Sequence, residues 1–185
     1  QEVRRLSRLV SQLLDISRME AGNRKFEKTS FDISEMARII LLSFESKIDA
    51  KRLDVEFEAP DDRLMVYSDK DAINQVLYNI CDNAIKYNRP GGTVTVTVFS
   101  REGRPAVEVR DTGIGIPEED MHNIFARFYR VDKARSREAG GSGLGLSIVH
   151  DAVHAHGGTI AVTDNEPTGT VFTFTIPAGE VEVHE

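Results

Sequence analysis

A chain of 185 residues that is 40% hydrophobic and 29% charged can bury one good core and carry a short appendage, so one compact domain is expected. Its net charge of −7 argues against non-specific binding to nucleic acid, while leaving room for a local basic site around one ligand. The lone cysteine, Cys81, lies in an apolar helical pattern and has no internal partner, which fits a buried thiol in a reducing compartment. No apolar run approaches the roughly 18 residues of a membrane span, and no signal peptide is visible.

Val3, Leu6, Val10 and Leu13 repeat at spacings of three and four, widened by Leu9, Leu14, Ile16 and Met19, with arginines outside. That is a helix with one apolar side, ending near Ala21 and Gly22. A lone helix cannot bury such a stripe, so it packs on the domain after it or pairs with another helix in a bundle, and pairing is the favoured expectation. Because Gln1 already lies within this pattern, the chain is expected to be a piece of a longer protein.

Asp32 and Glu35 resemble a capping box before a helix through Met36, Ile39, Ile40 and Phe44, expected to stop near Lys51. Leu53–Phe57 alternates like a half-buried strand, and Arg63–Tyr67 reads as a short second one. Ser68 and Asp71 predict the cap of the next helix, which runs to about Tyr87. Ile73, Val76, Leu77, Ile80, Ala84 and Ile85 make its apolar face, and Asn79, Asn83, Lys86 and Tyr87 fall together on a neighbouring one.

Thr93–Phe99 alternates strictly, Arg101–Pro105 turns the chain, and Ala106–Arg110 returns as the second strand of a hairpin. With a period of two, Asp111 shares the inward face of Val107 and Val109. A carboxylate aimed inward needs a partner, and the amino group of a base such as adenine would supply one.

Two glycine clusters come next, one over residues 111–116 and one over 140–147, about thirty residues apart. Glycine lets the backbone approach a polyphosphate and aim several N–H groups at it, and a helix beginning just afterwards adds its positive end. The dinucleotide fingerprint fails because Leu146 stands where its third glycine belongs, and the P-loop fails because Leu146 follows Gly145 where Lys is required. The reading is a third kind of nucleotide loop. Leu144, Leu146, Ile148, Val149, Ala152 and Val153 predict the helix that starts in it, ended by Gly157 and Gly158. His150 and His154 have the i, i+4 spacing of a zinc helix, but Asp151 stands in place of the glutamate and no third ligand is evident, so surface histidines are expected. Thr159–Thr163 and Thr170–Ile176 read as a closing hairpin with Phe172, Phe174 and Ile176 on one face, and Pro177 ends the domain.

These segments resemble the catalytic, ATP-binding part of bacterial sensor histidine kinases, within the wider ATPase group that includes DNA gyrase and the mismatch-repair ATPases. Residues 75–87 are similar to that family's asparagine box and 111–116 to its first glycine box. Residues 124–130 are similar to its phenylalanine box and 141–145 to its second glycine box, all four in order. Residues 13–22 resemble the second helix of the kinase dimerisation hairpin. The resemblance implies an α+β fold, a two-layer sandwich with helices on one face of a mixed sheet, preceded by one long helix. It divides the chain into a partial hairpin helix at 1–22, a catalytic domain at 23–178 and a tail at 179–185.

By matching positions, the resemblance places adenine at Asp111, with Tyr87 and Ile116 against the base and Gly113 and Gly115 at the close approach. It makes Asn83 the Mg2+ ligand, and Asn79, Lys86 and Arg130 the phosphate contacts and catalytic residues. Gly141, Gly143, Leu144, Gly145 and Leu146 would wrap the triphosphate, with residues 131–140 as a lid. Hydrolysing relatives carry a glutamate where this chain has Asn79, and an amide cannot act as that base, so transfer to a protein histidine is expected over rapid hydrolysis. The family's acceptor histidine is followed by an acidic residue on the first hairpin helix. None of His122, His150, His154, His156 and His184 fits, so the acceptor is expected on a helix outside this chain.

The implied partners are ATP, that dimerisation helix, a response-regulator receiver domain and, in the parent, a second copy; nucleic acid is not among them. The implied place is the cytoplasmic portion of a membrane-anchored sensor. A serine protein kinase of the same ATP-binding group, such as an anti-sigma factor, is the alternative that residues 13–20 count against, and a non-catalytic scaffold is the alternative that Asn83, Asp111 and the loop glycines count against.

Overall fold

The computed structural model describes residue 10 and residues 26–60, 63–131 and 143–177. The expected leading helix beyond residue 10, Gly141, most of the expected lid and the tail lie outside the described residues. The first strand, β1 (Lys28–Asp32), buries only Phe31 and leads directly into α1 (Ile33–Ser43). Asp32 caps α1 by accepting a hydrogen bond from the Ser34 amide at 3.0 Å. Glu35 does not complete the expected box; its carboxylate pairs with Arg38 one turn on. The single helix expected over 32–51 is two: the backbone leaves helical geometry at Phe44, whose ring is buried, and α2 (Glu45–Lys51) follows. Burying Phe44 and turning toward the next strand outweighs continuing a helix whose second half has no buried residue.

β2 (Asp54–Glu58) and β3 (Met65–Asp69) do not pair with each other. β3 pairs antiparallel with β1 in a separate two-stranded sheet, and β2 pairs parallel with β4 (Thr93–Arg101). Between them runs α3 (Lys70–Lys86). Its cap is Asp69, which accepts from the Ala72 amide at 3.0 Å, and Ser68, the residue expected there, belongs to β3. The one-residue difference follows from the strand continuing through Ser68, which aims the Asp69 carboxylate at the first turn.

β4 and β5 (Arg104–Asp111) form the expected hairpin, closed by Glu102 and Gly103 at φ 53° and 76°. Two consecutive left-handed residues match the twist of the strands they join. A short helix, α4 (Glu118–Met121), comes after β5. Then α5 (Gly145–Ala155) leads to the closing hairpin of β6 (Ile160–Asp164) and β7 (Thr170–Thr175). The large sheet has the order β2–β4–β5–β7–β6, with only its β2–β4 pair parallel.

Val94, Val96 and Val98 of β4, Val107 and Val109 of β5, and Phe172, Phe174 and Ile176 along β7 and just after it share one buried face. Ile73, Val76, Leu77, Ile80 and Ile85 of α3 and Val149 and Val153 of α5 meet that face to make one core. The threonines of β4 lie on the opposite, half-buried side. This is the two-layer sandwich on a mixed sheet that the resemblance implied. α3 and α5 lie side by side across the sheet and present their loops at one end, where Asp111 closes β5.

Candidate functional site

Strand alternation carries Asp111 inward as expected, leaving it 5% exposed. Its Oδ1 accepts from the Gly113 amide at 2.8 Å and the Thr170 amide at 3.3 Å. Burial pushes the carboxyl up to about 6, and these two amides pull against that rise. Both amides bond the same oxygen, Oδ1. A ligand N–H donor brought against Asp111 would thus meet a carboxylate already oriented by backbone.

The turn after Asp111 is built by close approach. A side chain at Gly113 would place its Cβ 2.4 Å from the Tyr87 carbonyl oxygen, so only glycine lets the turn lie on the end of α3. The same Tyr87 carbonyl accepts from the Ile114 amide at 3.2 Å. Gly115 and Ile116 continue half-buried, with Ile116 packed on the core. Tyr87 is half-buried at the end of α3, and burial raises its hydroxyl pKa while the Arg130 charge lowers it.

The other side of the site is the crossing of α3 and α5. Gly145 opens α5 facing Asn79, whose Cγ would lie 3.9 Å from a Cβ at that glycine. Leu144 is fully buried against Ile148, and Leu146 packs on the core, so the helix start is anchored from beneath. Lys86 holds its ammonium 5.0 Å from the Tyr87 ring centre. Burial lowers its pKa, as do Arg130, Lys47 and Lys51, while Asp82 opposes them. Arg130 therefore stands close enough to both Lys86 and Tyr87 to act on each electrostatically.

Three buried donors here have no hydrogen-bond partner: Asn79 Nδ2, Arg130 Nε and Arg130 Nη2. An unpartnered buried donor is costly, and buried cations are normally paired. Donors left open beside Lys86 and the N-terminal turn of α5 suit an anion with several oxygens. At the Asp111 end the open group is an acceptor. The arrangement thus fits a ligand with an amino group at one end and phosphates at the other. Asn83, half-buried one turn beyond Asn79, could offer an amide oxygen to a hard cation held mainly by phosphate and water oxygens.

The structure thus brings the turn after Asp111 against Tyr87 at the end of α3, Lys86 against the Tyr87 ring, and the start of α5 at Gly145 against Asn79; Gly141 lies outside the described residues. Sequence reasoning missed a buttress from the β6–β7 loop. Asn165 Nδ2 donates to the Asp111 carbonyl at 2.8 Å, and Thr168 Oγ1 donates to the Gly113 carbonyl at 2.9 Å. A Cβ on Gly169 would fall 1.9 Å from the Asp111 carbonyl oxygen. The only hint in the sequence is a glycine and an asparagine within a loop otherwise readable as an ordinary turn. It also missed Lys51, whose ammonium donates to the carbonyls of Ile85, Lys86 and Asn88 at 2.9, 2.5 and 3.0 Å.

His150 and His154 stack at 4.1 Å, with His154 Nδ1 at 2.9 Å from the His150 carbonyl. Among the described residues no group of three or more His, Cys, Asp or Glu could hold a metal ion.

The family model described as histidine kinase-, DNA gyrase B- and HSP90-like ATPase matches residues 68–180. The sensor histidine kinase WalK of Bacillus subtilis is 43% identical over 97% of this chain, which spans 30% of that protein's length. The catalytic domain of histidine kinase ThkA superposes with a TM-score of 0.73 at 35% identity, covering 82% of this chain and 96% of that one. ThkA in complex with its response regulator TrrA gives 0.75 at 31% identity over 96% of this chain and 49% of that one. Full-length ShkA in complex with AMPPNP gives 0.81 at 26% identity over 93% of this chain and 35% of that one. With residues 68–180 of 185 matched and the ThkA catalytic domain 35% identical and covered over 96% of its length, the protein belongs to the histidine kinase-, DNA gyrase B- and HSP90-like ATPase family, on the histidine kinase branch.

Proposed function

We propose that this chain is the ATP-binding catalytic portion of a two-component sensor histidine kinase, and that it directs the γ-phosphate of ATP to a histidine on a dimerisation helix outside the chain. The observation that carries this reading is the pairing of unpartnered buried donors on Asn79 and Arg130, the latter acting on Lys86 through its charge, with a buried acceptor at Asp111. Asp111 accepts the adenine amino group, with Tyr87 and Ile116 against the base and Gly113 and Gly115 giving it room. Asn79, Lys86 and Arg130 hold and neutralise the phosphates, and the backbone of Gly141, Gly143, Leu144, Gly145 and Leu146 wraps them. Asn83 holds Mg2+, which when bound would offset phosphate charge. What the protein contributes is position and charge, the main requirements of phosphoryl transfer.

Asn79 supports transfer over hydrolysis, because an amide cannot take the proton of an attacking water. We further propose that residues 1–22 are the second hairpin helix and 23–178 the catalytic domain, in a parent that dimerises and passes its phosphate to a response regulator. The absence, among the described residues, of any helix long and apolar enough to cross a membrane is compatible with a cytoplasmic place for this portion. The reading is tested by incubating the chain with ATP and the histidine-bearing hairpin of the full-length parent. Acid-labile, alkali-stable phosphate should appear on that hairpin, with free phosphate released far more slowly than once per second. Many hydrolytic turnovers per second with no labelled hairpin would overturn it.

A further inference from the structure

We propose that Phe128 is a positioning residue whose left-handed backbone, joined to Gly143, sets where Arg130 presents its guanidinium. The proposal rests on the nucleotide reading above. Three non-glycine residues among those described have positive φ: Arg52, which ends α2, Glu102, which closes the β4–β5 hairpin, and Phe128 at φ 62°. The first two lie at turns that demand such a residue. Phe128 also sits in a turn, closed by the Tyr129 amide donating to the Ala126 carbonyl at 3.2 Å, but that turn neither closes a hairpin nor caps a helix.

A side chain resists this conformation, so it persists only where the surroundings impose it. The Phe128 ring does not impose it, being 60% exposed. The neighbouring residues do. Ile124 is buried in the core, the Phe125 ring lies 5.4 Å from His150 of α5, and Arg127 reaches Asp151 of α5 at 3.5 Å. Beyond Phe128, the Tyr129 hydroxyl bonds the Asp120 carboxylate, drawing the chain back on itself. At the reversal the Phe128 amide donates to the Gly143 carbonyl at 2.9 Å. Gly143 answers with φ 75°, and a Cβ there would fall 2.9 Å from the Phe128 carbonyl carbon. Two residues later comes Arg130, whose charge acts on both Lys86 and Tyr87 and whose Nε and Nη2 are unpartnered.

The two left-handed residues thus join the segment bearing Arg130 to the residues that open α5. What the site requires of position 128 is a backbone geometry and an N–H, and the ring is dispensable for holding nucleotide.

The experiment is titration of the chain with a non-hydrolysable ATP analogue and Mg2+, with thermal melting of every variant alongside. Phe128→Gly and Phe128→Asn, which tolerate positive φ, should bind within about twofold of the parent. Phe128→Pro, which forbids that φ and removes the N–H, should weaken binding by about tenfold or more, as far as Arg130→Ala does. Combined with Arg130→Ala it should weaken binding no further, because both act through one guanidinium. If Phe128→Pro does not fold, Phe128→Val should weaken binding several-fold in the same non-additive way. Parent-like binding by Phe128→Pro or by a folded Phe128→Val, equal losses in Phe128→Gly and Phe128→Pro, or additivity with Arg130→Ala would each overturn the proposal while leaving the nucleotide reading intact. Failure of the parent itself to bind the analogue would overturn the nucleotide reading and this proposal with it.

Discussion

Asp111 carries two demands that pull against each other. To accept a hydrogen bond from a base it must be ionised, yet burial raises its carboxyl from an ordinary 3.8 to about 6. A raised carboxyl stabilises the fold fully only below the unfolded value, and that contribution is lost as pH rises through about 6. The nucleotide-free chain should therefore lose stability between pH 4 and 7, by an amount on the order of 3 kcal/mol for this group alone. Asp111→Asn keeps an oxygen for the Gly113 and Thr170 amides and has no charge to bury, so its melting should stay flatter across the same range. Parallel melting curves for the two proteins would contradict this. Ligand binding should run the other way with pH, weakening below about 6 as the acceptor is protonated. That Asp111 points inward was legible from strand period alone. That the Asn165–Thr170 loop holds its backbone was not, because nothing in those residue types announces a partner more than fifty positions earlier.

The element that positions most of the site is α3, and its C-terminal end matters most because Lys86 and Tyr87 sit there. Helix ends leave carbonyls without partners, and Lys51 supplies three hydrogen bonds to the carbonyls of Ile85, Lys86 and Asn88. Lys51→Met keeps most of the aliphatic stem and removes the donors, so it should destabilise the chain by about 1–3 kcal/mol in urea unfolding. A change under about 0.3 kcal/mol, within the scatter of ordinary surface substitutions, would show that water satisfies that helix end equally well. The apolar face of α3 and the alternation in β4, β5 and β7 were legible because their periods differ and run long enough to read. Three features were not: β1, the break at Phe44 and the cap at Asp69. β1 offers one buried side chain in five, so it has almost no pattern, and its pairing with β3 is a tertiary choice. The break at Phe44 and the shift from Ser68 to Asp69 are boundary effects, where packing of one residue outweighs local propensity.

For the whole molecule, one arrangement organises the site: donors and cations collect along α3 toward its end and at the start of α5, and an acceptor lies at the end of β5. The sandwich supplies this by holding α1, α3 and α5 on one face of a sheet, with the site loops gathered at one end. The motif order along the chain was enough to anticipate the fold and the family, because each box combines special residue types at fixed spacing. The motif order carried no sign of how the boxes brace one another, as Phe128 and Gly143 do, since that depends on backbone geometry that no residue type there declares.

The most direct test of the account is calorimetric titration of the chain with a non-hydrolysable ATP analogue, with and without Mg2+, repeated on Asp111→Asn after its fold is verified by melting. Magnesium-dependent binding by the parent chain is expected, with a loss of at least tenfold in the variant, the scale of one hydrogen bond to a charged group. Equal affinity in the two proteins, or no binding by a folded parent, would contradict it.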